Sequence, residues 1–99
     1  MKTLGVIPVR WESSRFPGKP LVDIFGKTMI EHVYRRVSRA NLVDKIIVAT
    51  DDKRIFDKVK NFGGSVKMTS SSHESGTDRV AEIANSQEGE NFSIVVNIQ

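Results

Sequence analysis

The sequence predicts an α/β fold in which a mainly parallel sheet is covered by helices on both sides. Short apolar runs alternate with helical patterns in the order βαβαβαβ, which is typical of parallel strands joined by right-handed crossovers. The runs are nearly unbroken in apolar character, which indicates strands buried on both faces. Ligands of such sheets bind at the carboxyl ends of the strands, so the loops that follow the strands form the expected functional rim.

The first strand is predicted over residues 4–9, with the sequence LGVIPV, and it ends at Arg10. Residues 10–27 show no periodicity, and we expect a long functional loop there, interrupted by Pro17, Gly18, Pro20 and Gly26. The first helix is predicted from Thr28 to about residues 40–41, because apolar side chains recur at three- and four-residue spacing at Met29, Ile30, Val33, Tyr34 and Val37.

The second strand is predicted over residues 45–50, with the sequence KIIVAT. Thr50, Asp51 and Asp52 follow it and supply capping side chains for a second helix. Asp51 and Asp52 also resemble a metal-binding pair, but capping explains them more simply. Gly63 and Gly64 end that helix, whose apolar positions are Ile55, Phe56, Val59 and Phe62.

A weak third strand is predicted over residues 65–69, and a polar loop over 70–76 follows it. Thr77 or Asp78 is predicted to cap a third helix that buries Val80, Ile83 and Ala84. A fourth strand is predicted over residues 93–98. No repeat, low-complexity tract or linker divides the sequence, so we expect residues 1–99 to be the N-terminal part of a single larger domain.

The composition is that of a globular chain, with 38% hydrophobic and 27% charged residues among 99. The absence of cysteine excludes a disulfide framework and a thiolate metal site, and the cytoplasm is the expected location. No apolar stretch matches a signal peptide or approaches the roughly 20 residues of a membrane span. A net charge of +3 permits anionic ligands without demanding nucleic acid, and we interpret Arg35, Arg36 and Arg39 as a solvated helix face.

The loop after the first strand is cationic. Residues 10–20 carry Arg10, Arg15 and Lys19, together with two serine hydroxyls and one acid. Arginine grips phosphate oxygens bidentately and lysine adds a mobile charge, so this loop suits a polyphosphate and its departing pyrophosphate. A solvated basic loop is the simpler explanation of three charges alone, but the end of a buried strand favours a ligand. The sequence contains neither the P-loop pattern nor the G-x-G-x-x-G dinucleotide pattern.

The motif over residues 7–21, IPVRWESSRFPGKPL, resembles the opening signature of the 3-deoxy-manno-octulosonate cytidylyltransferases, or CMP-Kdo synthetases. CMP-sialic acid synthetases and spore-coat polysaccharide nucleotidyltransferases share this signature in looser form. Residues 73–82, HESGTDRVAE, match the Kdo enzymes specifically. The resemblance continues through residues 26–34, 48–52, 68–69 and 95–99, and so spans essentially the whole sequence.

The resemblance implies a Rossmann-like three-layer α/β/α nucleotidyltransferase domain with a mainly parallel sheet, truncated here after the fourth strand. It implies attack of the Kdo anomeric hydroxyl on the α-phosphate of CTP, giving CMP-Kdo and pyrophosphate with Mg²⁺ as the cofactor. The product feeds lipopolysaccharide biosynthesis. By the same resemblance the parent protein is a homodimer whose substrates are CTP and Kdo, with neither nucleic acid nor a membrane as a partner.

The resemblance also implies roles for individual residues. Arg10 and Lys19 would hold the triphosphate as the catalytic cations, and Ser13 and Arg15 would assist in the same loop. Gln99 would contact the sugar acid. The cytosine would be read, and the nucleotide supported, by two segments whose members are Met68, Thr69 and Ser70, and Ser75, Gly76, Thr77 and Asp78.

The sequence departs from the family pattern at Val9, where alanine is usual, and at Trp11 and Glu12, where a tyrosine- or alanine-containing pair is more typical. Trp11 is a candidate for stacking on a base or sugar, and it would equally suit the rim of the core. The family continues past Gln99 with a Gly-Asp-Glu-Pro segment whose aspartate binds magnesium. We therefore expect the 99 residues alone to be inactive.

Two alternative functions stay open at this point. One is a non-catalytic module that binds nucleotide without transferring it. The other is a related nucleotidyltransferase that acts on another sugar acid. Titration with CTP and a pyrophosphate-release assay over several sugar acids would distinguish them.

Overall fold

Residues 2–11, 18–71 and 76–98 are described by a computed structural model, and a four-stranded sheet lies at their centre. The strands and α-helices are β1 (Thr3–Val9), β2 (Asp23–Ile24), β3 (Lys27–Thr28), α1 (Met29–Ala40), β4 (Lys45–Thr50), α2 (Lys53–Asn61), β5 (Val66–Met68), α3 (Gly76–Ala84), α4 (Gln87–Glu90) and β6 (Ile94–Asn97). A single 3-10 turn, Lys19–Leu21, precedes β2. The predicted βαβαβαβ order is confirmed.

The central sheet has the strand order β5-β4-β1-β6, and each neighbouring pair is parallel. The chain passes from β1 to β4 and β5 on one side, then crosses back to place β6 on the other side of β1. The direction of progression therefore reverses between β1 and β6. This reversal is the topological switch point, where open parallel sheets bind their ligands at the carboxyl ends of the strands.

Both faces of the central strands β1 and β4 are buried, whereas the outer strands β5 and β6 are mostly exposed. Alternate residues of β1 point to opposite faces, so Leu4 and Val6 belong to one core while Ile7 and Val9 belong to the other. The core that contains Ile7 and Val9, called the first core here, includes Ile30 of α1, Ile55 and Val59 of α2, and Ile46 and Val48 of β4. The second core is closed by α3 through Val80 and Ile83, over Ile47 and Ala49. This arrangement confirms the three-layer α/β/α architecture.

The stretch predicted as a long loop contains a short antiparallel hairpin. Asp23 pairs with Thr28 and Ile24 with Lys27, and Phe25 and Gly26 form its turn with φ of 53° and 86°. A two-residue turn with both residues left-handed matches the twist of a hairpin. Strands of two residues are too short to produce a hydrophobic period, so the sequence pattern does not reveal them. The short helix α4 is missed for the same reason.

Two of the predicted helix boundaries have different outcomes. Asp52 caps α2 as expected, because its side chain accepts hydrogen bonds from the backbone N–H groups of Arg54 and Ile55. The prediction that Thr77 or Asp78 caps α3 is wrong, since that helix already begins at Gly76 and both residues lie in its first turn. Asp78 there is favourably placed near the positive end of the helix dipole.

No helix within the described segments has both the length and the apolar character needed to cross a membrane.

The second core generates a stability prediction. Ile83 is fully buried, and Ile83→Ala should lower the free energy of unfolding by about 2–5 kcal/mol through lost burial and the cavity it leaves. Urea denaturation of the intact protein measures this. Leu42→Ala is the matched control, because that side chain is 80% exposed and its truncation should change stability by about 0.5 kcal/mol or less. Equal effects of the two substitutions would contradict the assignment of α3 to the core.

Candidate functional site

The carboxyl ends of β1, β4 and β5 meet at one edge of the sheet and open into a cavity of about 390 Å³. Its described lining carries charge of both signs and comprises Arg10, Trp11, Asp51, Asp52, Arg54, Ser71 and Arg79. These residues come from the segments that directly follow the strands and from two helices. The edge predicted to be functional is thus a polar, charged concavity.

A second cavity, of about 240 Å³, lies on the other flank of Arg10. Arg10 and Lys19 both line it, and the rest of its described lining is mainly apolar, including Val9, Ile30 and Ile98. Since Ile98 follows β6 and Val9 ends β1, this cavity lies at the switch point. The structure therefore brings together the two cations that the sequence pairs, at the place where the fold favours ligands.

Arg79 is the feature of this edge that sequence reasoning missed. Its side chain is fully buried, and its Nη1 donates hydrogen bonds to Thr69 Oγ1 at 2.5 Å and to the Ser70 carbonyl oxygen at 3.2 Å. Its Nη2 lies 3.7 Å from Asp51 Oδ2. One guanidinium therefore joins the ends of β4 and β5 to α3. The helical spacing from Arg79 to Ile83 places both on one face and could have indicated this burial.

The segment predicted to read the base is held from α3. Thr69 is buried against Arg79, and the Ser70 backbone N–H donates to Glu82 Oε1 at 3.0 Å. Met68, in contrast, is largely exposed. These contacts hold residues 69 and 70 in place from α3, through the Thr69 hydroxyl and the Ser70 backbone.

The first turn of α3 lies beside the end of β6. Asn97 Nδ2 donates to Thr77 Oγ1 at 3.5 Å, and Gly76 and Asp78 lie in the same turn. The predicted nucleotide-supporting turn is thus adjacent to the switch point. Ser13, Arg15, Ser75 and Gln99 lie outside the described residues, and their predicted roles stay predictions.

Trp11 covers the rim of the first core, one of the two roles that the sequence left open. The Arg54 guanidinium carbon lies 3.3 Å from the centroid of the indole ring. Arg54 thereby covers one face of the ring, and that face is closed to a base in this arrangement.

The aspartates after β4 are each committed to an arginine. Asp51 faces Arg79, and Asp52 forms an ion pair with Arg54 at 2.7 Å while also capping α2. No group of three or more carboxylate or histidine side chains converges among the described residues. The pKa of Asp52 is lowered below 3.8, chiefly by the hydrogen bond from the Arg54 side chain and further by the backbone N–H groups of Arg54 and Ile55, while desolvation opposes this.

A pair of cations at the switch point of a parallel sheet can occur in several nucleotide-binding folds. This feature alone therefore does not identify the family. The sequence profile of the cytidylyltransferase family matches residues 4–99. The chain belongs to the cytidylyltransferase family. The resemblance seen in the motifs at residues 7–21 and 73–82 is thereby confirmed.

Individual cytidylyltransferases are closely similar over the whole chain. The 3-deoxy-manno-octulosonate cytidylyltransferase of Syntrophobacter fumaroxidans is 58% identical over 99 residues, which are 100% of this chain and 40% of that protein. The enzyme of the same name from Leptospira interrogans is 57% identical over 98 residues, covering 99% of this chain and 39% of that protein. The chain therefore spans about two fifths of the length of these cytidylyltransferases.

A solved structure of a cytidylyltransferase, the CMP:2-keto-3-deoxy-manno-octonic acid synthetase complexed with CTP, matches this fold with a TM-score of 0.91. It is 48% identical in sequence, and the match covers 100% of this chain and 40% of that one. The fold that carries both cavities of this chain is therefore one that, in that protein, is found complexed with CTP.

The lowered pKa of Asp52 generates a pH prediction. Asparagine also caps helices, so Asp52→Asn keeps the cap and removes the charge. Because the pKa is lowered in the folded state, the extra stability of the wild type is present above pH 3.8 and is lost as the pH falls through the lowered value. Unfolding free energies measured from about pH 6 down to about pH 2 for both proteins should therefore converge.

Asp57→Asn is the control for this measurement, since Asp57 forms an exposed ion pair with Lys53 on the same helix. Such a pair contributes under about 1 kcal/mol, so this variant should track the wild type closely. A wild-type advantage over Asp52→Asn that persists unchanged at low pH would contradict the proposed interaction with Arg54.

Proposed function

We propose that the protein is a cytidylyltransferase that transfers CMP from CTP to 3-deoxy-D-manno-octulosonate and releases pyrophosphate. The single observation that carries this proposal is that Arg10 and Lys19 line one cavity at the switch point of a cytidylyltransferase fold. The names of the relatives at 57–58% identity support CTP and Kdo as the two substrates.

In the proposed reaction the anomeric hydroxyl of Kdo attacks the α-phosphate of CTP. A bond forms between the Kdo oxygen and the α-phosphorus as the bond from that phosphorus to the bridging oxygen breaks; the hydroxyl proton passes to solvent, and pyrophosphate leaves with the electron pair of the broken bond. Catalysis of such transfers depends mostly on positioning and electrostatic stabilisation. Arg10 and Lys19 supply positive charge where the leaving group departs, and Ser13 and Arg15 assist from the same loop.

In this proposal the cytosine base lies against the carboxyl end of β5 and the first turn of α3. Met68, Thr69 and Ser70 read the cytosine, while Ser75, Gly76, Thr77 and Asp78 support the nucleotide. Arg79 and Glu82 contribute by holding residues 69 and 70 in place from α3. Gln99 contacts the sugar acid.

Mg²⁺ belongs to the proposal as the cofactor of the triphosphate. Enzymes usually hold this ion through one or two carboxylates together with the substrate phosphates. The described residues do not fit a magnesium site by themselves, since Asp51 and Asp52 already face arginines.

The wider setting follows from the same identification and is likewise a proposal. We place the protein in lipopolysaccharide biosynthesis, in the cytoplasm, as a homodimer that uses neither nucleic acid nor a membrane as a partner. Release of pyrophosphate from CTP and Kdo by the intact protein tests the activity. Turnover with sialic acid in place of Kdo would point to a related sugar-acid nucleotidyltransferase, and CTP binding without any pyrophosphate release would point to a non-catalytic nucleotide-binding protein.

Removal of either Arg10 or Lys19 should slow the proposed reaction. Arg10→Ala and Lys19→Ala should each lower kcat/KM for CTP by about 10²-fold, because each removes a charge contact with the triphosphate in the transition state. Steady-state pyrophosphate release over a range of CTP concentrations measures this.

Arg36→Ala is the matched control, since this arginine is exposed on α1 away from both cavities. An exposed helix cation contributes under about 1 kcal/mol, so kcat/KM should stay near the wild-type value. Near-normal turnover in both the Arg10 and the Lys19 variants would defeat the assignment of these residues to the triphosphate.

A further inference from the structure

A stack of three side chains joins the start of α2 to the cationic segment after β1. The guanidinium carbon of Arg54 lies 3.3 Å from the centroid of the Trp11 ring. Arg54 in turn donates from Nε to Asp52 Oδ1 at 3.1 Å and from Nη2 to Asp52 Oδ2 at 2.7 Å. Such a two-pronged pairing fixes the plane of the guanidinium, so Arg54 is oriented against the indole before any ligand arrives.

Asp52 is itself held in place by the helix that it caps. Its Oδ1 accepts the backbone N–H of Arg54 at 2.8 Å, and the first turn of α2 is buried through Ile55. The orientation of the stack is therefore set by the junction between β4 and α2, a rigid part of the fold. Nothing in this chain of contacts depends on the nucleotide.

Trp11 is also joined to Gly18. The Gly18 backbone N–H donates to the Trp11 carbonyl oxygen at 2.8 Å. The indole also lies so close to Gly18 that a Cβ there would be 2.8 Å from Trp11 Cζ2, and the φ of +78° disfavours any other residue. Positions 11 and 18 are thus held together by both backbone and side chain.

The contact between residues 11 and 18 also positions the two proposed catalytic cations. Arg10 directly precedes Trp11, and Lys19 directly follows Gly18. Holding residue 11 against residue 18 therefore fixes the distance between the backbones that carry Arg10 and Lys19. Both cations line the cavity at the switch point.

We propose that Trp11 and Arg54 are positioning residues that set the separation of Arg10 and Lys19 for the triphosphate, with Asp52 orienting Arg54. The inference rests on the proposed cytidylyltransferase function, which it deepens. A preset spacing of the two cations raises the rate because the site does not have to be reorganised as charge develops on the leaving group. It also gives the aromatic side chain at position 11 a role, as the surface on which Arg54 stacks.

The main competing explanation is direct contact, because Arg54 also lines the cavity of about 390 Å³ and its side chain is 57% exposed. A double-mutant cycle separates the two. If Arg54 acts through Trp11, removing either side chain removes the same effect, and Arg54→Ala combined with Trp11→Ala costs no more than one alone. If Arg54 touches the triphosphate by itself, the two losses multiply.

The kinetic arm measures pyrophosphate release by the intact protein from CTP and Kdo. We expect Arg54→Ala and Trp11→Ala each to lower kcat about tenfold with a smaller change in the KM for CTP, and the double variant to match the single ones. Trp11→Phe should restore most of the rate, because it keeps a ring under the guanidinium. A hundredfold loss in the double variant, or no rescue by phenylalanine, would overturn the proposal.

Lys53→Ala is the matched control for charge. Lys53 is the neighbouring residue on α2, its side chain is 82% exposed, and it pairs with Asp57 instead of contacting Trp11. This variant removes the same charge from the same turn, so kcat should stay within about twofold of the wild type. A loss equal to that of Arg54→Ala would mean that the general field of the helix, and not the stack, is responsible, and would overturn the proposal.

A second arm needs no activity, so it separates failure of this inference from failure of the proposed function. Hydrogen exchange of the Gly18 amide reports directly on its bond to Trp11. We expect about tenfold faster exchange in Arg54→Ala than in the wild type, and unchanged exchange in Lys53→Ala. Unchanged exchange in Arg54→Ala would overturn the inference even in a protein that transfers CMP, whereas faster exchange in a protein without transferase activity would overturn only the proposed function.

Discussion

Parallel pairing of β1 with β4 runs from Leu4 opposite Lys45 to Val9 opposite Thr50, and nearly every residue of this pair is buried. Burial on both faces requires a helix layer on each side, and parallel pairing sends both strands out of the sheet at the same edge. Arg10 and Asp51 are therefore neighbours at that edge. The other candidate site residues of the described chain lie around the carboxyl ends of these two strands.

Two adjacent aspartates, Asp51 and Asp52, each face a different arginine at this edge of the sheet. Asp51 faces Arg79, which holds Thr69 and Ser70 on the side proposed to bind the base. Asp52 faces Arg54, which stacks on Trp11 on the side proposed to bind the triphosphate. Asp52 orients Arg54 through two hydrogen bonds, whereas Asp51 lies 3.7 Å from the Arg79 guanidinium as an ion pair. The end of β4 thus connects the two halves of the proposed nucleotide site, although neither aspartate needs to touch the nucleotide.

Asp52 is one of the two aspartates that resemble a metal-binding pair in the sequence, and in the structure its side chain caps α2 and pairs with Arg54. A capping carboxylate that also holds a guanidinium has its acceptor positions in use. Capping was the simpler interpretation from the sequence, and it is confirmed for Asp52. The partner arginines, which complete the explanation, lie in different elements and were not part of that interpretation.

The sequence by itself determined the elements that repeat locally and the motifs that occupy consecutive positions. Burial on two faces left apolar runs at β1 and β4, helical spacing identified α1 and α2, and the cationic residues Arg10 and Lys19 were recognisable because they lie in one continuous motif. The same continuity carried the family assignment. Each of these features lies within one short continuous segment of the sequence.

Only the tertiary structure decided which distant side chains meet. The hydrogen bond from Arg79 to Thr69, the stacking of Arg54 on Trp11 and the pairing of the two-residue strands β2 and β3 leave no periodic trace. These contacts depend on the strand order β5-β4-β1-β6, which brings the ends of separate strands to a common edge. A local sequence pattern indicates on which face of a helix or strand a residue lies. The side chain that it contacts on that face is determined by how the whole sheet is assembled.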